Sequence, residues 1–549
     1  MKKMFYKNNY TIIFLGIFVT LLITYSPAVL GYYAHLDDYS HFWGWERKEF
    51  HNFPHYYKDR YAYQMGCGRF LWAVFFIIYE WAAPSIRDLN MVRLLIIFNL
   101  SLCAFICFYW MNKNFSNTLL SFLFSISIFT LPPFEVMASY AMSLPISFAI
   151  IFSSLASMLS SRVILIKSFY QVMINKYTIV AILLLMCSLM IYQPAAMFYW
   201  IFVALFILFS FEKKEEVIKQ IRNIFFIGLT AIGIYAVIIQ LMKGIGIFNF
   251  YHIYNPIYMT KNYIGKLKWF IERPLKDSLN LWNIFPTVTQ AFRIVVFIFV
   301  SCLLSFYQTI RNHGFRYGNV KVVLKKIICL LLFIILIFLS YLPNLLAAFN
   351  FPWYRSSLVL TTLILIILLW AVNEWVVFLA TSRRKIILTV ILGVTCIWGL
   401  TQAYRNVLYY RVIPSSLEVQ HIKTTLQKYD LTKFHTIYFI RLRKSLIAKQ
   451  ARYDEFGVVS TTDGPFTIIY PYLIKCILRE LGMQAYLIPE TVWIVKYLPN
   501  KPGIEKHNFH YLHVSSGIEG QPFLVDPETL VIDMTKLYGY NKIYARHSF

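Results

Sequence analysis

The chain has 549 residues, of which 58% are hydrophobic and only 14% are charged, and its mean hydropathy is +0.57. Soluble proteins carry about 25% charged residues, so this composition excludes a soluble globular enzyme, a disordered protein and a small secreted disulfide scaffold. The formal net charge is nevertheless +26. The basic residues are scattered between long apolar runs, which argues against a nucleic-acid partner and favours a polytopic membrane protein.

Eleven apolar runs are long enough to be predicted as membrane-spanning helices, since a bilayer crossing takes about 20 residues. A further apolar run at 70–83 contains Glu80 and is ended by Pro84, so it either spans or lies along the membrane surface. The predicted spans lie near residues 11–31, 90–111, 118–132, 143–160, 177–191, 195–211, 223–242, 287–309, 327–347, 358–380 and 386–404.

The distribution of basic residues indicates whether the 70–83 segment spans. If it does not, nineteen Lys and Arg residues fall in six short loops on one side, and the three short loops opposite them hold only Arg355. A spanning segment would reverse this bias, against the rule that positive charge stays on the cytoplasmic side. We therefore predict a juxtamembrane or re-entrant helix at 70–83, a cytoplasmic N-terminus and a C-terminus on the outer face.

The predicted fold class is a polytopic α-helical membrane protein with a second, extracytoplasmic α/β domain. Residues 1–409 form the transmembrane catalytic domain, and residues 410–549 lack a spanning run. The outer loops of the first domain are 32–89, 133–142 and 243–286. The second domain is predicted to have helices near 416–429 and 468–481 and strands near 436–440 and 530–534. Its aromatic and polar loops suit either a glycan-binding surface or a cap over the membrane domain.

Two adjacent carboxylates, Asp37 and Asp38, follow the first predicted span and lie at the outer membrane interface. Neighbouring like charges resist ionising together, which raises the pKa of one of them. Such a pair suits a general base or a divalent-cation site, and an N-cap for a following helix is the alternative. His35 and three further histidines of this loop match no standard zinc spacing and are interpreted as interfacial polar residues.

Two other outer segments each carry one candidate side chain. Arg69 begins the juxtamembrane helix, where it either binds a phosphate or extends its charged end from apolar surroundings to the interface. Glu135 is the one acid of the second outer loop, and a carboxylate between two spans is costly without a partner. It either supplements the Asp37–Asp38 pair or caps a helix.

Positive charge on the outer side opposes the topology rule and therefore predicts a local function. Arg355 is the one basic residue of the last short outer loop, and it is a candidate contact for a lipid phosphate or pyrophosphate. The outer loop 243–286 is also rich in basic and aromatic residues, which suits either an anionic lipid phosphate or an amphipathic helix on the membrane surface. Its candidate phosphate ligands are Lys261, Lys266, Lys268 and Arg273.

One acid lies within a predicted span. Glu374 occupies the inner half of the tenth span, and ionisable side chains at such positions are candidates for function because they are costly to bury. Asn373 stands next to it in the sequence. A hydrogen-bonded contact between helices is therefore an equally good interpretation.

These features together resemble the GT-C class of polyprenyl-phosphate-sugar glycosyltransferases, and within that class the phage-type serotype-converting O-antigen glucosyltransferases. The resemblance covers the first 145 residues best. The motifs that carry it are His35-Leu36-Asp37-Asp38-Tyr39 with Trp43 and Trp45, Gly68-Arg69-Phe70-Leu71, Pro133-Phe134-Glu135 with Tyr140 and Met142, and Asp454-Glu455-Phe456-Gly457.

The resemblance implies a hexosyltransferase of the bacterial inner membrane whose C-terminal domain is periplasmic. The donor would be a hexose, glucose in this family, carried on undecaprenyl phosphate, and the acceptor would be a lipopolysaccharide O-antigen or another surface glycan. The implied catalytic acids are Asp37 and Asp38, either of which would deprotonate the acceptor hydroxyl, with Glu135 as a further acid. The implied substrate-binding residues are Tyr39, Trp43, Trp45 and Tyr140.

The same resemblance implies how the leaving polyprenyl phosphate is stabilised. Arg69, Arg355 or the basic residues of the loop 243–286 would supply the positive charge. The chemistry needs no nucleotide-binding motif, and the sequence contains none. A divalent cation, Mg²⁺ or Mn²⁺, is an optional cofactor.

Two other functions remain alternatives at this point. A polysaccharide polymerase or ligase also acts on lipid-linked glycan, but such enzymes depend on Arg- and His-bearing outer loops instead of an acidic pair after the first span. A transporter or flippase predicts inverted repeats and central spans broken by Gly and Pro. The sequence shows neither feature, and a large outer α/β domain also disfavours a transporter.

Overall fold

The computed structural model describes most of residues 1–409 and parts of residues 410–549. The described residues are 2–35, 38, 64, 66–72, 74–75, 83, 85–115, 117–163, 171–172, 174–210, 217–245, 259–285, 287–313, 320–350, 352–377, 381–430, 436–441, 455, 469–481, 491–496 and 529–533.

The described chain is mostly helical, as expected where backbone N–H and C=O groups must be paired within an apolar segment. The longer described helices before residue 410 are α1 Lys2–Leu30, α2 Leu89–Phe115, α3 Thr118–Ile128, α4 Pro132–Ser139, α5 Leu144–Arg162, α6 Lys176–Ile191, α7 Gln193–Ala196, α8 Tyr199–Ser210, α9 Val217–Gly244, α10 Tyr263–Phe270, α11 Val288–His313, α12 Val320–Ser340, α13 Leu342–Leu346, α14 Tyr354–Val376 and α15 Thr381–Val407. A π-helical turn, Ile271–Leu275, and a three-residue helix, Lys276–Ser278, follow α10. A π-helical turn, Leu408–Val412, then joins α15 to α16, Ile413–Gln427.

Seven helices in the described part of the chain are long and apolar enough to cross a membrane, and a bent helix pair brings the number to eight. Three shorter apolar helices lie at Lys176–Ile191, Gln193–Ile207 and Lys326–Ser340. Each of the eleven predicted spans falls on one of these long, bent or short helices. The protein is therefore a polytopic helical membrane protein, in agreement with its sequence.

The third predicted span differs from a straight crossing. Its helix ends at Ile128, and α4 continues at an angle of 66° after a break of three residues. The break arises because Pro132 and Pro133 lack the backbone N–H that would continue α3. The hydroxyl of Tyr25 donates to the carbonyl of Phe129, at 2.6 Å, and so satisfies one carbonyl at the break. Residues 133–142, predicted as an outer loop, are helical through Ser139 and completely buried.

Outward-facing apolar side chains identify the surface that contacts lipid. Helices α9, α11 and α15 are buried over less than a third of their apolar windows, whereas α5 and α14 are mostly enclosed by other helices. Exposed side chains on the outer helices include Val237, Phe292, Phe299 and Ile397. A contiguous apolar exterior of this kind suits a hydrocarbon environment. Helix α14 therefore lies inside the bundle, and its N-terminal end is positioned by the surrounding helices.

Small polar side chains connect the inner helices of the bundle. Asn99 on α2 donates to the hydroxyl of Ser147 on α5 at 2.9 Å. Ser188 on α6 donates to the carbonyl of Ala149 at 2.7 Å. Small residues permit this close approach of helices, and their hydrogen bonds supply specific contacts where the hydrophobic effect does not act between helices.

The intramembrane acid Glu374 has a partner on a neighbouring helix. Its carboxylate lies 3.5 Å from the ammonium group of Lys326 on α12, which also donates to the hydroxyl of Ser305 on α11 at 2.8 Å. The neighbouring Asn373 accepts a hydrogen bond from Arg384 at 2.7 Å. These contacts connect α11, α12, α14 and α15, so they support the interpretation of this region as a helix–helix contact.

The described part of the chain after residue 430 contains three short strands. They are β1 Thr436–Arg441, β2 Thr491–Lys496 and β3 Thr529–Asp533, and they form a parallel sheet in the order β2-β1-β3. In the register, Thr436 pairs with Thr491 on one side and Thr529 on the other. Strands β1 and β3 lie where the sequence predicts strands, whereas β2 has no counterpart among the predicted elements.

One C-terminal helix contacts the segments that follow α1 and precede α2. Helix α17, Ile469–Glu480, ends in a carboxylate that accepts hydrogen bonds from the hydroxyl of Tyr32 and from the backbone N–H of Ile86. Lys423 on α16 lies 3.7 Å from the same carboxylate. Glu480 therefore attaches the C-terminal region to the end of the bundle where the candidate acids lie.

Candidate functional site

The carboxylate of Asp38 connects two segments that are distant in sequence. One oxygen accepts the backbone N–H of His35 at 3.0 Å, and the other accepts the backbone N–H of Met142 at 3.0 Å. The side chain is fully buried. Burial raises the pKa of Asp38, and the positive charge of Arg93 and the two backbone hydrogen bonds oppose that increase. Asp38 thus fixes the chain after α1 against the turn that follows α4.

A buried arginine near the start of α2 provides the positive charge beside Asp38. The Nη2 atom of Arg93 lies 3.7 Å from the carboxylate, and both side chains are inaccessible to solvent. Nη2 also donates to the carbonyl of Tyr33 at 2.7 Å, and the guanidinium stacks on the Tyr33 ring at 3.9 Å. Because its oxygens already face N–H donors and a cation, Asp38 in this arrangement does not fit the role of a metal ligand.

His35 and Tyr140 form the next layer of the site. The hydroxyl of Tyr140 and Nε2 of His35 are 2.9 Å apart, and the two ring centroids are 3.8 Å apart. Burial lowers the pKa of His35 well below its usual range, and the charges of Arg411, Arg355 and Arg93 lower it further. The imidazole is therefore neutral and acts as a hydrogen-bonding partner.

Two further arginines lie over the face of the Tyr140 ring. The guanidinium of Arg411 is 3.9 Å from the ring centroid, and that of Arg355 is 4.9 Å from it. Nε of Arg355 donates to the carboxylate of Glu455 at 2.8 Å, and Nη1 of Arg411 donates to the Glu455 backbone carbonyl. The same carboxylate accepts the backbone N–H of Tyr354 at the beginning of α14. The site thus combines residues from α4, α14, the π-helical turn and the C-terminal region.

The predicted phosphate ligand Arg69 is held by a turn that requires glycine. Gly68 has φ = +73°, and a side chain there would collide with the hydroxyl of Tyr235 on α9. That hydroxyl donates to the Gly68 carbonyl at 3.0 Å, and Gln193 donates to the Cys67 carbonyl at 2.9 Å. Because both carbonyls are fixed in this way, the turn sets the position of the arginine that follows it.

Arg69 lies between two aromatic rings. Its guanidinium is 4.8 Å from the ring centroid of Tyr192 and 5.4 Å from that of Trp72. The buried Nε atom has no hydrogen-bond acceptor among the described residues. Aromatic faces stabilise a cation without occupying its N–H donors, so the guanidinium remains available to an anionic ligand.

A cavity of about 450 Å³ opens beside Arg69. Its walls come from α6, α7, α9 and α13, and side chains such as Met197, Ile232 and Leu342 make them largely apolar. Trp353 and Ser356, at the start of α14, lie at its edge. A cavity of this size, with apolar walls and a few polar groups, falls in the range of about 300–1,000 Å³ typical of ligand sites.

The basic residues predicted in the outer loop 243–286 have separate surroundings. Lys266 on α10 is buried and donates to the Phe349 carbonyl at 2.6 Å and to the Asn350 side chain at 2.8 Å. Burial lowers the pKa of Lys266 to about 8. Lys268 is exposed, with Glu272 3.9 Å away. Lys261 and Arg273 are also exposed.

The segment 261–273, which consists of α10 and the residues on either side of it, also exposes large apolar side chains. Tyr263, Ile264 and Ile271 face outward from this segment. Basic and apolar side chains on one exposed helix are typical of a segment lying in the membrane interface. No contact between described residues joins Lys261, Lys268 or Arg273 to the cluster around Asp38, so an interfacial helix describes their placement better than a shared phosphate site.

Glu135, the second-loop acid, lies in a neighbouring buried position. It belongs to the first turn of α4, is completely buried, and accepts a hydrogen bond from Asn406 at 3.2 Å. The same amide group donates to the Trp282 carbonyl at 3.3 Å. Asn406 thus connects Glu135 to the end of α15.

Four of the predicted site residues lie outside the described part of the chain. They are Asp37, Tyr39, Trp43 and Trp45. Within the described part, no group of three or more His, Cys, Asp or Glu side chains is arranged to hold a metal ion. The described site is therefore a cluster of arginine, tyrosine, histidine and carboxylate groups.

Several residues of the site were absent from the sequence prediction. Arg93 is a charged residue within an apolar run, the same signal that singled out Glu374. Arg411 is a basic residue beyond the last span on the predicted outer side, the signal that singled out Arg355. Tyr235 and Gln193 carry no comparable signal, because their role depends on a turn far away in the sequence.

Comparison with known proteins places this arrangement in a family. A family model described as Glucosyl transferase GtrII matches residues 56–372. The match includes Arg69, Glu135, Tyr140 and Arg355, and it ends before Arg411 and the C-terminal region. A search of curated proteins finds no match. Since the family model covers more than half of the chain and the fold is a bundle of apolar helices, the chain belongs to the GtrII family of glucosyl transferases and is a membrane-embedded glycosyltransferase.

Proposed function

We propose that the protein transfers glucose from undecaprenyl phosphate to a lipopolysaccharide O-antigen or another surface glycan, on the outer side of the bacterial inner membrane. The observation that carries this proposal is the apolar cavity with Arg69 at its wall and the start of α14 at its edge. An isoprenoid chain requires apolar walls, and its phosphate requires a nearby cation. Both requirements are met at this position among the described residues.

The cavity is close in sequence and structure to the arginine–tyrosine cluster. Trp353 lines the cavity, and its ring centroid lies 5.7 Å from the guanidinium of Arg355, two residues further on, which also contacts Tyr140. In the proposed binding mode, the isoprenoid chain occupies the cavity and the phosphate lies between Arg69 and Arg355. The sugar then extends towards Tyr140 and the segment that carries the Asp pair.

The proposed reaction is an in-line displacement at the anomeric carbon. An acceptor hydroxyl loses its proton to a carboxylate and forms the new glycosidic bond, while the bond to the phosphate oxygen breaks. Polyprenyl phosphate leaves with the electron pair, and Arg69 and Arg355 stabilise its negative charge. Both oxygens of Asp38 already accept hydrogen bonds, so we assign the base to Asp37 and the positioning of the loop to Asp38. Glu135 is the alternative base.

The proposed topology has eleven spans, with the N-terminus cytoplasmic and an α/β domain at 410–549 in the periplasm. Seven long apolar helices, one bent helix pair and three shorter apolar helices in the described chain support it, together with the concentration of basic residues in alternate loops. The three short helices would then also cross the membrane, with Gln193–Ile207 enclosed by other helices and Lys326–Ser340 exposing apolar side chains such as Leu331 and Ile334. A reporter fused after residue 114 tests the orientation, since cytoplasmic signal is expected there and an external signal would contradict the proposal.

Transfer of labelled glucose from polyprenyl phosphate in membranes tests the function directly. The wild-type chain is expected to transfer label to the glycan, and Asp37→Asn to abolish transfer with normal membrane insertion. Glu272→Gln, at an exposed carboxylate on the interfacial segment, is the matched control and should retain activity. Full transfer by both Asp37→Asn and Asp38→Asn would remove the Asp pair from the mechanism. Repeating glycan units in the product, instead of single glucose residues, would favour a polymerase.

A further inference from the structure

The N-terminal end of α14 is an anion-binding position that the protein fills with its own carboxylate. Helix α14 has 23 residues, and its first backbone N–H, that of Tyr354, donates to the side chain of Glu455. Nε of Arg355 donates to the same carboxylate at 2.8 Å. A helix N-terminus and an adjacent arginine together form the usual surroundings of a bound phosphate. Glu455 therefore occupies the place where a phosphate would receive the same donors.

A second arginine at this position has unused hydrogen-bonding capacity. Arg411 is completely buried, and its Nε and Nη2 atoms find no acceptor within the described part of the chain. Its remaining nitrogen, Nη1, donates to the backbone carbonyl of Glu455. Leaving charged donors buried without acceptors is costly. A phosphate group offers more acceptor oxygens than one carboxylate, so it satisfies Arg355 and Arg411 together.

The backbone around Arg411 is also unusual. The residue lies in the π-helical turn Leu408–Val412, between α15 and α16. Single π-helical turns inside α-helices occur frequently at functional sites, because they direct a side chain away from the regular helical positions. Here the turn places the guanidinium 3.9 Å from the Tyr140 ring, on the ring that Arg355 also contacts.

The charges of the cluster do not cancel. Among the described residues, Arg93 is paired with the carboxylate of Asp38 and Arg355 with that of Glu455, whereas Arg411 donates to the backbone carbonyl of Glu455. These five described side chains together carry one net positive charge. A phosphodiester carries one negative charge, so a donor phosphate that displaces the Glu455 carboxylate would leave the net charge of these groups unchanged.

We propose that Arg411 and the N-terminus of α14 join Arg355 on one side of the donor phosphate, with Arg69 on the other side, and that Glu455 is a built-in competitor for that site. This inference rests on the proposed function, since the phosphate is that of a polyprenyl-linked sugar. The donor displaces the Glu455 carboxylate when it binds, and Glu455 returns after the lipid phosphate leaves. The C-terminal region thereby opposes rebinding of the product, which carries more negative charge than the donor.

Binding of undecaprenyl phosphate to the purified full chain in nanodiscs tests the proposal. Glu455→Gln keeps an acceptor for the Tyr354 N–H but removes the competing charge, so it should bind the lipid about 10-fold more tightly, a difference of about 1.4 kcal/mol. Arg411→Met should bind it at least 10-fold more weakly, and Arg411→Lys should retain part of the affinity. Unchanged or weaker binding by Glu455→Gln would overturn the competitor role.

A matched control separates the phosphate site from general loosening of the C-terminal region. Glu480→Gln weakens the attachment of α17 to Tyr32 and Ile86 and should leave lipid binding unchanged. If Glu480→Gln increases lipid binding as much as Glu455→Gln does, the increase arises from loosening of the C-terminal region, and the proposal is wrong. Where Arg411→Met fails to insert, the Glu455→Gln result alone decides.

Further ligands test whether the bound phosphate belongs to a lipid or to a free anion. The same measurements distinguish failure of this site from failure of the proposed function. Undecaprenol, which lacks the phosphate, should not distinguish Glu455→Gln from the wild type. Inorganic phosphate should bind more weakly than the lipid; if it alone responds to the substitutions, the site belongs to a free anion and the lipid assignment is wrong. Absence of glucose transfer with the expected binding changes would contradict the proposed function but support this site. Normal glucose transfer together with unchanged lipid binding by Glu455→Gln would contradict only the competitor role of Glu455.

Discussion

The guanidinium of Arg93 lies 3.7 Å from the carboxylate of Asp38, and both side chains are completely shielded from solvent. The pair joins α2 to the segment after α1, and the hydrogen bond from Met142 extends the connection to the turn after α4. Removal of one member of a buried ion pair typically costs about 3–5 kcal/mol, because the other charge is left without a partner. The pair therefore positions the segments that carry the other site residues.

We expect Arg93→Met to lower the unfolding temperature and glucose transfer together. Asp38→Asn should act in the same way, since its amide group would place an N–H donor against Arg93 or a backbone N–H. Thermal unfolding in detergent, measured beside the transfer assay, checks both. The double variant should lose less stability than the sum of the single variants, because the two residues interact. Wild-type stability in Arg93→Met would show that the pair is not needed for the fold.

The turn before Arg69 gives a second prediction with a matched control. Gly68→Ala forces a side chain into a left-handed conformation, at a cost of about 1–2 kcal/mol, and its Cβ would lie 2.4 Å from the Tyr235 hydroxyl. We expect lower stability and a higher KM for the lipid donor, because the turn holds Arg69. Gly66→Ala meets no atom within 4 Å and should behave as the wild type. Equal behaviour of the two variants would contradict this role of the turn.

The sequence was sufficient to predict a polytopic helical membrane protein. Length and continuous apolar composition are local properties, so the predicted spans fall on apolar helices of the described chain, of which seven are long enough to cross a membrane and three are shorter. The bend between α3 and α4 could be predicted from the sequence only in part. Pro132 and Pro133 indicate that a helix begins or ends there, but the 66° angle and the burial of the following segment depend on how α1 and α14 pack against it.

The composition of the site was also only partly predictable, because many of its contacts join residues that are distant in sequence. The acidic pair, Glu135, Arg69 and Arg355 carry local signals of charge in apolar or outer segments. The sequence did not distinguish the surroundings of Asp38, because these depend on Met142 and Arg93, which lie in other segments. Glu455 entered the sequence analysis only through a short motif. Its contact with Arg355 spans 100 residues of sequence and follows from tertiary structure alone.

The apolar cavity gives a third prediction. Ala236 on α9 lines the cavity, whereas its neighbour Val237 is exposed on the outer face of the same helix. In Ala236→Trp, the indole fills part of the space of about 450 Å³ and should raise the KM for the lipid donor at least tenfold. Val237→Trp should leave the KM unchanged because tryptophan is tolerated on a lipid-facing surface. A normal KM in Ala236→Trp would exclude this cavity as the donor site.

The neutral state of His35 predicts an acid-sensitive fold. Burial and the three neighbouring arginines hold the pKa of His35 well below its usual value in the folded protein. In the unfolded chain the imidazole takes up a proton as the pH falls through about 6.5, whereas the folded protein does not. The unfolded state then binds more protons, so this residue makes the free energy of unfolding decrease as the pH falls below about 6.5, by up to about 1.4 kcal/mol per pH unit.

His35→Gln should therefore flatten the decrease in unfolding temperature between pH 7.5 and pH 5, while retaining a hydrogen-bonding group near Tyr140. The pKa of Asp38 is raised, so protonation of that carboxylate favours the folded state at lower pH and acts in the opposite direction. Asp38 is present in both proteins, and its contribution cancels when the two pH profiles are compared. An identical slope in both profiles would mean that His35 is charged in the folded protein, contrary to its position beside Arg411, Arg355 and Arg93.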